Sequence, residues 1–373
     1  MIPFNRAGFL DAGLAKIRDV LASRHLSGDG PVGRRVEDLL EQALVAPRVL
    51  LTSSCTHALE MAALLLDLSP GDEVIVPSFT FVSTVNAFVL RGARPVFADI
   101  RPDTLNLDEG QLPSLITPRT KAIVPVHYAG VACEMDTIND LAHRASACVI
   151  EDNAHGLFAT YRGSSLGTLG ALATQSFHET KNFTCGEGGA LVVNDGRFLE
   201  RAVILREKGT NRSKFFRGEV DKYTWVDLGS SYVLSDILGA LLLAQLEQRD
   251  EIQRRRATIW QRYATELADW ARAQDVRLPI VPPHCKTSAH LFYLLLAAPR
   301  RAPFLDHLRA RGVQAVWHYQ PLHASPMGLA HGGVAGSCPV TEKIADELVR
   351  LPLYADLTDT EQSTVIDAVR SFR

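Results

Sequence analysis

The feature that most constrains this chain is the character of its apolar runs. Val49-Leu50-Leu51, Val74-Ile75-Val76, Ala122-Ile123-Val124 and Val149-Ile150 are apolar at consecutive positions, not at alternate ones. A strand with one wet face alternates. A strand covered on both faces does not, and such burial belongs to parallel strands joined by crossover helices. Helical patterns lie between the runs. Residues 57–67 place Leu59, Ala62, Ala63 and Leu66 on one face, and residues 82–91 and 136–145 follow later runs. The expected class is therefore α/β with a mostly parallel sheet. Strands are predicted at 48–52, 73–77, 94–100, 121–127 and 148–152. Two more, at 171–177 and 189–194, are close in sequence, as an antiparallel pair would be, and bring the sheet to seven strands.

From Ser235, a suitable helix N-cap, the pattern turns helical over 235–249 and 251–272. Beyond Leu278, predicted strands (291–296, 314–318) mix with predicted helices (303–311, 341–348). The expected division is a large domain of residues 1–250 and a smaller α+β domain of residues 251–373.

A length of 373 residues leaves room for two domains and a ligand cleft. Lys and Arg number 39 against 42 Asp and Glu, a net charge of −3, which leaves no basic footprint for nucleic acid. No apolar run approaches the roughly 18 residues of a membrane span. Met1-Ile2-Pro3-Phe4-Asn5-Arg6 lacks the apolar stretch of a signal peptide. Cys55, Cys133, Cys148, Cys185, Cys285 and Cys338 form no CxxC pair and no zinc-like spacing. Free thiols, no metal site and a cytoplasmic location are expected.

In open α/β sheets, ligands bind beyond the carboxyl ends of the strands. Four segments fall there. Thr52-Ser53-Ser54-Cys55-Thr56-His57 joins a strand to a helix, a place for a helix cap or an anion. Pro77-Ser78-Phe79-Thr80-Phe81 offers two aromatics, for the core or for a planar ring. Glu151-Asp152-Asn153-Ala154-His155 ends a buried strand in carboxylates that need partners. In Ser176-Phe177-His178-Glu179-Thr180-Lys181, followed by Gly186-Glu187-Gly188-Gly189, a lysine borders a glycine-rich turn. A desolvated lysine loses its proton more readily and becomes a nucleophile toward an aldehyde. Each segment alone also suits a structural role. Together they make a phosphate cradle, an aromatic shelf, a carboxylate for a ring nitrogen and a lysine for an aldehyde, the full set that pyridoxal 5'-phosphate requires. Dinucleotide binding would need G-x-G-x-x-G after the first strand, and residues 48–58 contain no glycine.

At Gly71-Asp72-Glu73-Val74-Ile75-Val76-Pro77-Ser78, Glu151-Asp152-Asn153-Ala154-His155 and Ser176-Phe177-His178-Glu179-Thr180-Lys181-Asn182, the chain resembles the DegT/StrS sugar-nucleotide aminotransferases, within the fold-type I pyridoxal-phosphate enzymes. The resemblance runs from Pro3 to the C-terminus. Residues 124–136 and 206–213 are similar to the members that aminate the 4-keto carbon of dTDP-4-dehydro-6-deoxy-glucose with L-glutamate, giving the galacto product for cell-surface polysaccharide such as enterobacterial common antigen. The resemblance implies roles by position. Lys181 is the catalytic lysine that bonds the cofactor and shuttles the proton. Asp152 pairs with the pyridine nitrogen, Phe81 stacks on the ring, and His155 lies near its 3-hydroxyl. The amides of Thr56 and His57 and the Ser176 hydroxyl hold the phosphate, and His178 orients the site. Arg212, Tyr319 and His323 are the candidates for the sugar nucleotide. A homodimer with shared sites is implied. Many relatives place a partner's Asn on the phosphate near the position of Val233; valine cannot do this, and Ser230 or Ser231 is the substitute. Some relatives carry His at the catalytic lysine and act as dehydratases, whereas Lys181 favours transamination. Two other outcomes remain open: transamination of a different keto-sugar nucleotide, and a non-catalytic regulator on the same fold.

Overall fold

A computed structural model describes residues 1–8 and 11–373. Its strands in chain order are β1 (Val49–Thr52), β2 (Glu73–Pro77), β3 (Arg94–Ala98), β4 (Thr120–Ile123), β5 (Cys148–Asp152), β6 (Thr160–Tyr161), β7 (Ser164–Ser165), β8 (Leu172–Ser176), β9 (Gly189–Val193), β10 (Cys285–Lys286), β11 (Phe292–Leu295) and β12 (Leu348–Leu351). Seven of them form the central sheet in the order β1-β9-β8-β5-β4-β2-β3. Every neighbouring pair is parallel except the two made by β9, which runs antiparallel to both β1 and β8. The sheet is thus mostly parallel, and the pair at 171–177 and 189–194 is antiparallel.

The runs read as buried strands are buried. Val74, Ile75, Leu50 and Ile150 are fully covered, and the helix Cys55–Leu65 packs its Ala58, Ala62 and Leu59 against one face of the sheet. On the other face, Val36 and Leu40 of the helix Pro31–Leu44 and Leu242 of the helix Asp236–Glu247 cover β1 and β9. Ser235 caps the latter helix, its side chain accepting from the Leu238 N–H at 3.4 Å. A separate core of Ile259, Tyr263, Phe292, Phe304, Val349 and Val365 is drawn from residues beyond 250 and closes around the β11–β12 pair.

Three expectations are corrected. The predicted strand 121–127 stops at Ile123, because Pro125 lacks an N–H; beyond it only Val126 bridges to Asp152. The predicted strand 314–318 reduces to one bridge, Val316 to Arg350. The helix predicted over 251–272 is two helices, Arg249–Glu266 and Ala268–Ala273, divided at Leu267. Among the described residues, no helix is long and apolar enough to cross a membrane, and no cluster of His, Cys, Asp or Glu is suited to a metal.

Candidate active site

At the carboxyl ends of β2, β5 and β8 lies a cavity of about 800 Å³, lined in part by Thr56, Phe81, Asp152, His155, Ser176 and Lys181. His178 and Tyr319 also line it. The size suits a small ligand with its cofactor.

The strand period explains the two carboxylates that end β5. Successive side chains point to opposite faces. Glu151 turns away from the cavity and is consumed by structure: it accepts from His127 Nε2 at 2.9 Å and from the N–H groups of Gly167, Leu169 and Gly170 at 2.7–2.8 Å. Asp152 turns into the cavity. Thr84 Oγ1 donates to its Oδ2 at 2.7 Å, Thr80 supports Thr84 at 2.9 Å, and the Ala154 N–H reaches Oδ1 at 3.2 Å. Lys181 sits on the turn after β8. Burial lowers its pKa below the usual lysine value, against the raising influence of Cys55 and Asp152. The free amine is therefore reached at lower pH than for a solvated lysine. Burial, reinforced by the charge of Asp152, pushes the neighbouring Cys55 thiol up to about 12, so it stays protonated.

The candidate anion site lies at a helix start. Ser54 caps the helix Cys55–Leu65 by accepting the His57 N–H at 3.1 Å. The N–H groups of Cys55 and Thr56 make no hydrogen bond among the described residues, and the start of a helix attracts negative charge. β9 approaches this turn so closely that a Cβ on Gly189 would lie 2.3 Å from Cys55 N. Only glycine permits that contact. The Ser176 side chain lines the cavity from the position paired with Gly189.

The opposite wall is aromatic. Phe81 is 58% exposed, whereas Phe79 is buried against Tyr128 and Tyr319, so only Phe81 of the two presents a ring to the cavity. His318 stacks on Tyr319 with centroids 3.6 Å apart, and the Tyr319 hydroxyl lies 3.5 Å from His155 Nε2. Burial, with Lys181 and Arg350 nearby, holds His155 well below the usual imidazole range. It is neutral, and its buried Nδ1 has no partner among the described residues. Arg350 lines the cavity and lies over the Phe4 ring at 4.5 Å. It donates to the Trp317 carbonyl at 3.1 Å and has no carboxylate partner among the described residues.

Three sequence candidates are not brought here. His57 does not line the cavity: its N–H is spent on the Ser54 cap and its ring on Ser53 Oγ at 2.7 Å, so the free amide beside Thr56 is that of Cys55. His323 is fully buried, held between Ser78 Oγ at 2.6 Å and Glu342 Oε1 at 2.9 Å, and has no donor left for a ligand. Arg212 lines a second cavity, with Asp29, Glu207 and Lys214, and lies over the Phe216 ring. Ser230 and Ser231 are exposed and do not line the main cavity. Conversely, Thr84, His290, His318 and Arg350 line it without having been singled out. The signal for His290 and Arg350 was a polar residue beside or inside an apolar run, at Ala289-His290-Leu291 and Val349-Arg350-Leu351.

Residues 11–370 match the model of the DegT/DnrJ/EryC1/StrS aminotransferase family. The chain belongs to this family. It is 33% identical over 349 residues to an uncharacterized protein, MJ1066, of Methanocaldococcus jannaschii, covering 91% of this chain and 90% of that one. Among solved structures, the aminotransferase TlmJ from Streptoalloteichus hindustanus superposes with a TM-score of 0.91 at 33% identity, covering 100% of this chain and 98% of TlmJ. Spr1654 from Streptococcus pneumoniae in its PMP form gives 0.92 at 27% identity over 100% and 98%. Spr1654 is also solved in its PLP form. The family depends on pyridoxal phosphate, and this cavity fits that group: an amine with a depressed pKa, a carboxylate at the end of the neighbouring strand, free helix-start amides, and an unpartnered histidine nitrogen.

Proposed function

We propose that this aminotransferase moves the amino group of L-glutamate to the 4-keto carbon of dTDP-4-dehydro-6-deoxy-D-glucose, giving dTDP-4-amino-4,6-dideoxy-D-galactose for cell-surface polysaccharide. The observation that carries the aminotransferase reading is the joint placement of Lys181 and Asp152 in one cavity at the ends of neighbouring strands. The sugar, its configuration and the pathway rest on the similarity of residues 124–136 and 206–213 to one subgroup.

In this reading the Cys55 and Thr56 amides and the Ser176 hydroxyl hold the cofactor phosphate, Phe81 covers the ring, and His155 meets its 3-hydroxyl. Asp152 keeps the proton on the ring nitrogen. Bound pyridoxal phosphate supplies an aldehyde for the amino group and a ring that withdraws electrons from the adjoining carbon. Lys181 Nζ, reached as the free amine because of its burial, takes the proton from the donor Cα and later delivers one to the sugar C4. Delivery to one face sets the C4 configuration. Arg350 takes a carboxylate of the donor, because an unpaired guanidinium in a closed site favours an anion. Tyr319 and His318 contact the sugar from the aromatic wall, and His178 stands at the rim beside Glu187, 3.6 Å away.

The same reading keeps the division at residue 250, supported by the separate core beyond it. It also keeps a homodimer. Phe216, Tyr223, Trp225, Val226 and Leu228 are 50–75% exposed within one segment, an apolar surface for a second copy that would bring Arg212 and Ser231 to the neighbouring site. The test is a panel of dTDP-, GDP- and UDP-linked 4-keto sugars with glutamate. Preference for the dTDP sugar supports the assignment, and preference for another nucleotide moves it to that sugar.

A further inference from the structure

We propose that His290 is a positioning residue that holds two parts of this site in register: the ring of His155 and the turn that carries Lys181. The inference rests on the pyridoxal-phosphate reading above. The His290 ring stacks on His155 with centroids 4.2 Å apart and planes 24° from parallel. Its Nδ1 lies 2.8 Å from Asn182 Oδ1. Asn182 spends its NH₂ on the Ser288 carbonyl at 2.8 Å, so its oxygen faces His290 and the network makes Nδ1 the protonated nitrogen. Asn182 follows Lys181 directly in the chain; fixing its side chain fixes the turn from which Lys181 reaches the cavity.

His290 can act as a fixed point because it is itself clamped. The buried Arg256 guanidinium donates to the carbonyls of Ala289 at 3.2 Å and His290 at 2.5 Å. Two residues earlier, Ser288 Oγ donates to the His155 carbonyl at 2.5 Å. Residues 288–290 thus grip His155 by backbone and ring, and Lys181 through its neighbour. Gly130 must be glycine for this segment to pass, since a Cβ there would meet Ser288 Oγ and the His155 carbonyl. The stack also covers one face of His155. The groups around that ring are His290, His318, Tyr128 and the Tyr319 hydroxyl, with the charges of Lys181 and Arg350 acting on it. Removing the His290 ring opens this face to water, and a solvated imidazole returns toward its ordinary pKa.

Two substitutions separate the two grips. His290→Phe keeps a ring for the stack and loses the donor to Asn182; His290→Ala loses both. Holoenzymes are compared by kcat and KM for each substrate, by the pH profile of kcat/KM, and by titrating the visible absorbance of the bound cofactor. Both variants are expected to lower kcat at least about tenfold, with KM for the sugar nucleotide within about twofold, because the Lys181 turn loosens. In His290→Ala alone, the acid limb and the absorbance titration move up by about one pH unit as His155 gains water. If His290→Ala does not fold, His290→Phe carries the test: lowered kcat with an unmoved acid limb supports the inference, and wild-type kcat overturns it. Wild-type behaviour of both variants in an active aminotransferase overturns the inference alone. A wild-type protein that takes up no pyridoxal phosphate overturns the reading of the site and the inference with it.

Discussion

Replacing Gly189 by alanine tests the phosphate cradle without touching a reacting group. Gly189 lies in β9, paired with Thr52 of β1 on one side and Ser176 of β8 on the other. A Cβ at this position would lie 2.3 Å from Cys55 N, 2.4 Å from the Ser54 carbonyl carbon and 2.6 Å from its oxygen. Ordinary contact begins at 3.4 Å, so the first turn of the helix Cys55–Leu65 has to retreat by about 1 Å. All three opposing atoms are backbone and β9 is held on both edges, so neither side yields cheaply. Overpacking of this kind costs about 1–3 kcal/mol, which a chain with several buried cores survives. The loss in cofactor binding comes in addition, because hydrogen bonds to a charged group are worth about 1.5–3 kcal/mol each and donors displaced by about 1 Å forfeit them. The assay is the dissociation constant for pyridoxal phosphate, from absorbance titration, together with a thermal melt. Gly189→Ala is expected to bind the cofactor about tenfold to a hundredfold more weakly while remaining folded. Gly196→Ala, where a Cβ meets open space, should match the wild type. Wild-type cofactor affinity in folded Gly189→Ala would refute the placement of the phosphate at this helix start.

Further perturbations have separate outcomes. Lys181→Ala should abolish turnover and the visible absorbance of the holoenzyme; residual transamination would remove the lysine from its role. Asp152→Asn should lower kcat on the order of a hundredfold with an unchanged melting temperature, since the carboxylate acts on developing charge and not on folding. Arg350→Gln should raise KM for glutamate about tenfold to a hundredfold, the worth of a hydrogen bond to a charged group, and leave KM for the sugar nucleotide within about twofold. For the fold itself, burial would raise the Glu73 carboxyl, but hydrogen bonds from Arg94, Thr117 and Arg119 hold it at about 2, below the ordinary 4.5. Its ionised form therefore stabilises the protein above about pH 4.5, and this contribution, about 2 kcal/mol after allowing for the exposed arginines, is lost as pH falls toward 2. Acid melts of Glu73→Gln should lack that component.

How much was legible in the sequence follows from where each interaction closes. The central sheet was readable because burial on both faces writes itself into consecutive residues, as at Val74-Ile75-Val76. The helix Pro31–Leu44 was not read at all. Pro31 marks its start locally, but no neighbouring side chain caps it: Asp236, more than 200 residues away, accepts the N–H groups of Val32 and Gly33. At the site, Lys181, Asp152 and Phe81 stood at strand ends, where ligand chemistry is expected, and the structure gathers them in one cavity. Arg350 and His290 carry only a bare signal, because a polar residue beside or inside an apolar run gains meaning only when the fold shows what it faces. His323 was misread for the converse reason. Trp317-His318-Tyr319-Gln320-Pro321-Leu322-His323 looks like one ligand-facing stretch, yet the chain turns so that Tyr319 faces the cavity and His323 bridges Ser78 and Glu342. Ser54 lies three residues before His57, which is N-cap spacing; read that way, the His57 N–H is already spent.

The most direct test of the account is the fate of the amino nitrogen. Purified protein with pyridoxal phosphate, ¹⁵N-labelled L-glutamate and dTDP-4-dehydro-6-deoxy-glucose should yield 2-oxoglutarate and a nucleotide sugar carrying ¹⁵N on C4, with proton couplings of the galacto configuration by NMR. Label on C4 with gluco couplings would contradict the assigned product. No label in any sugar, across the dTDP-, GDP- and UDP-linked keto sugars, would contradict sugar amination by this site.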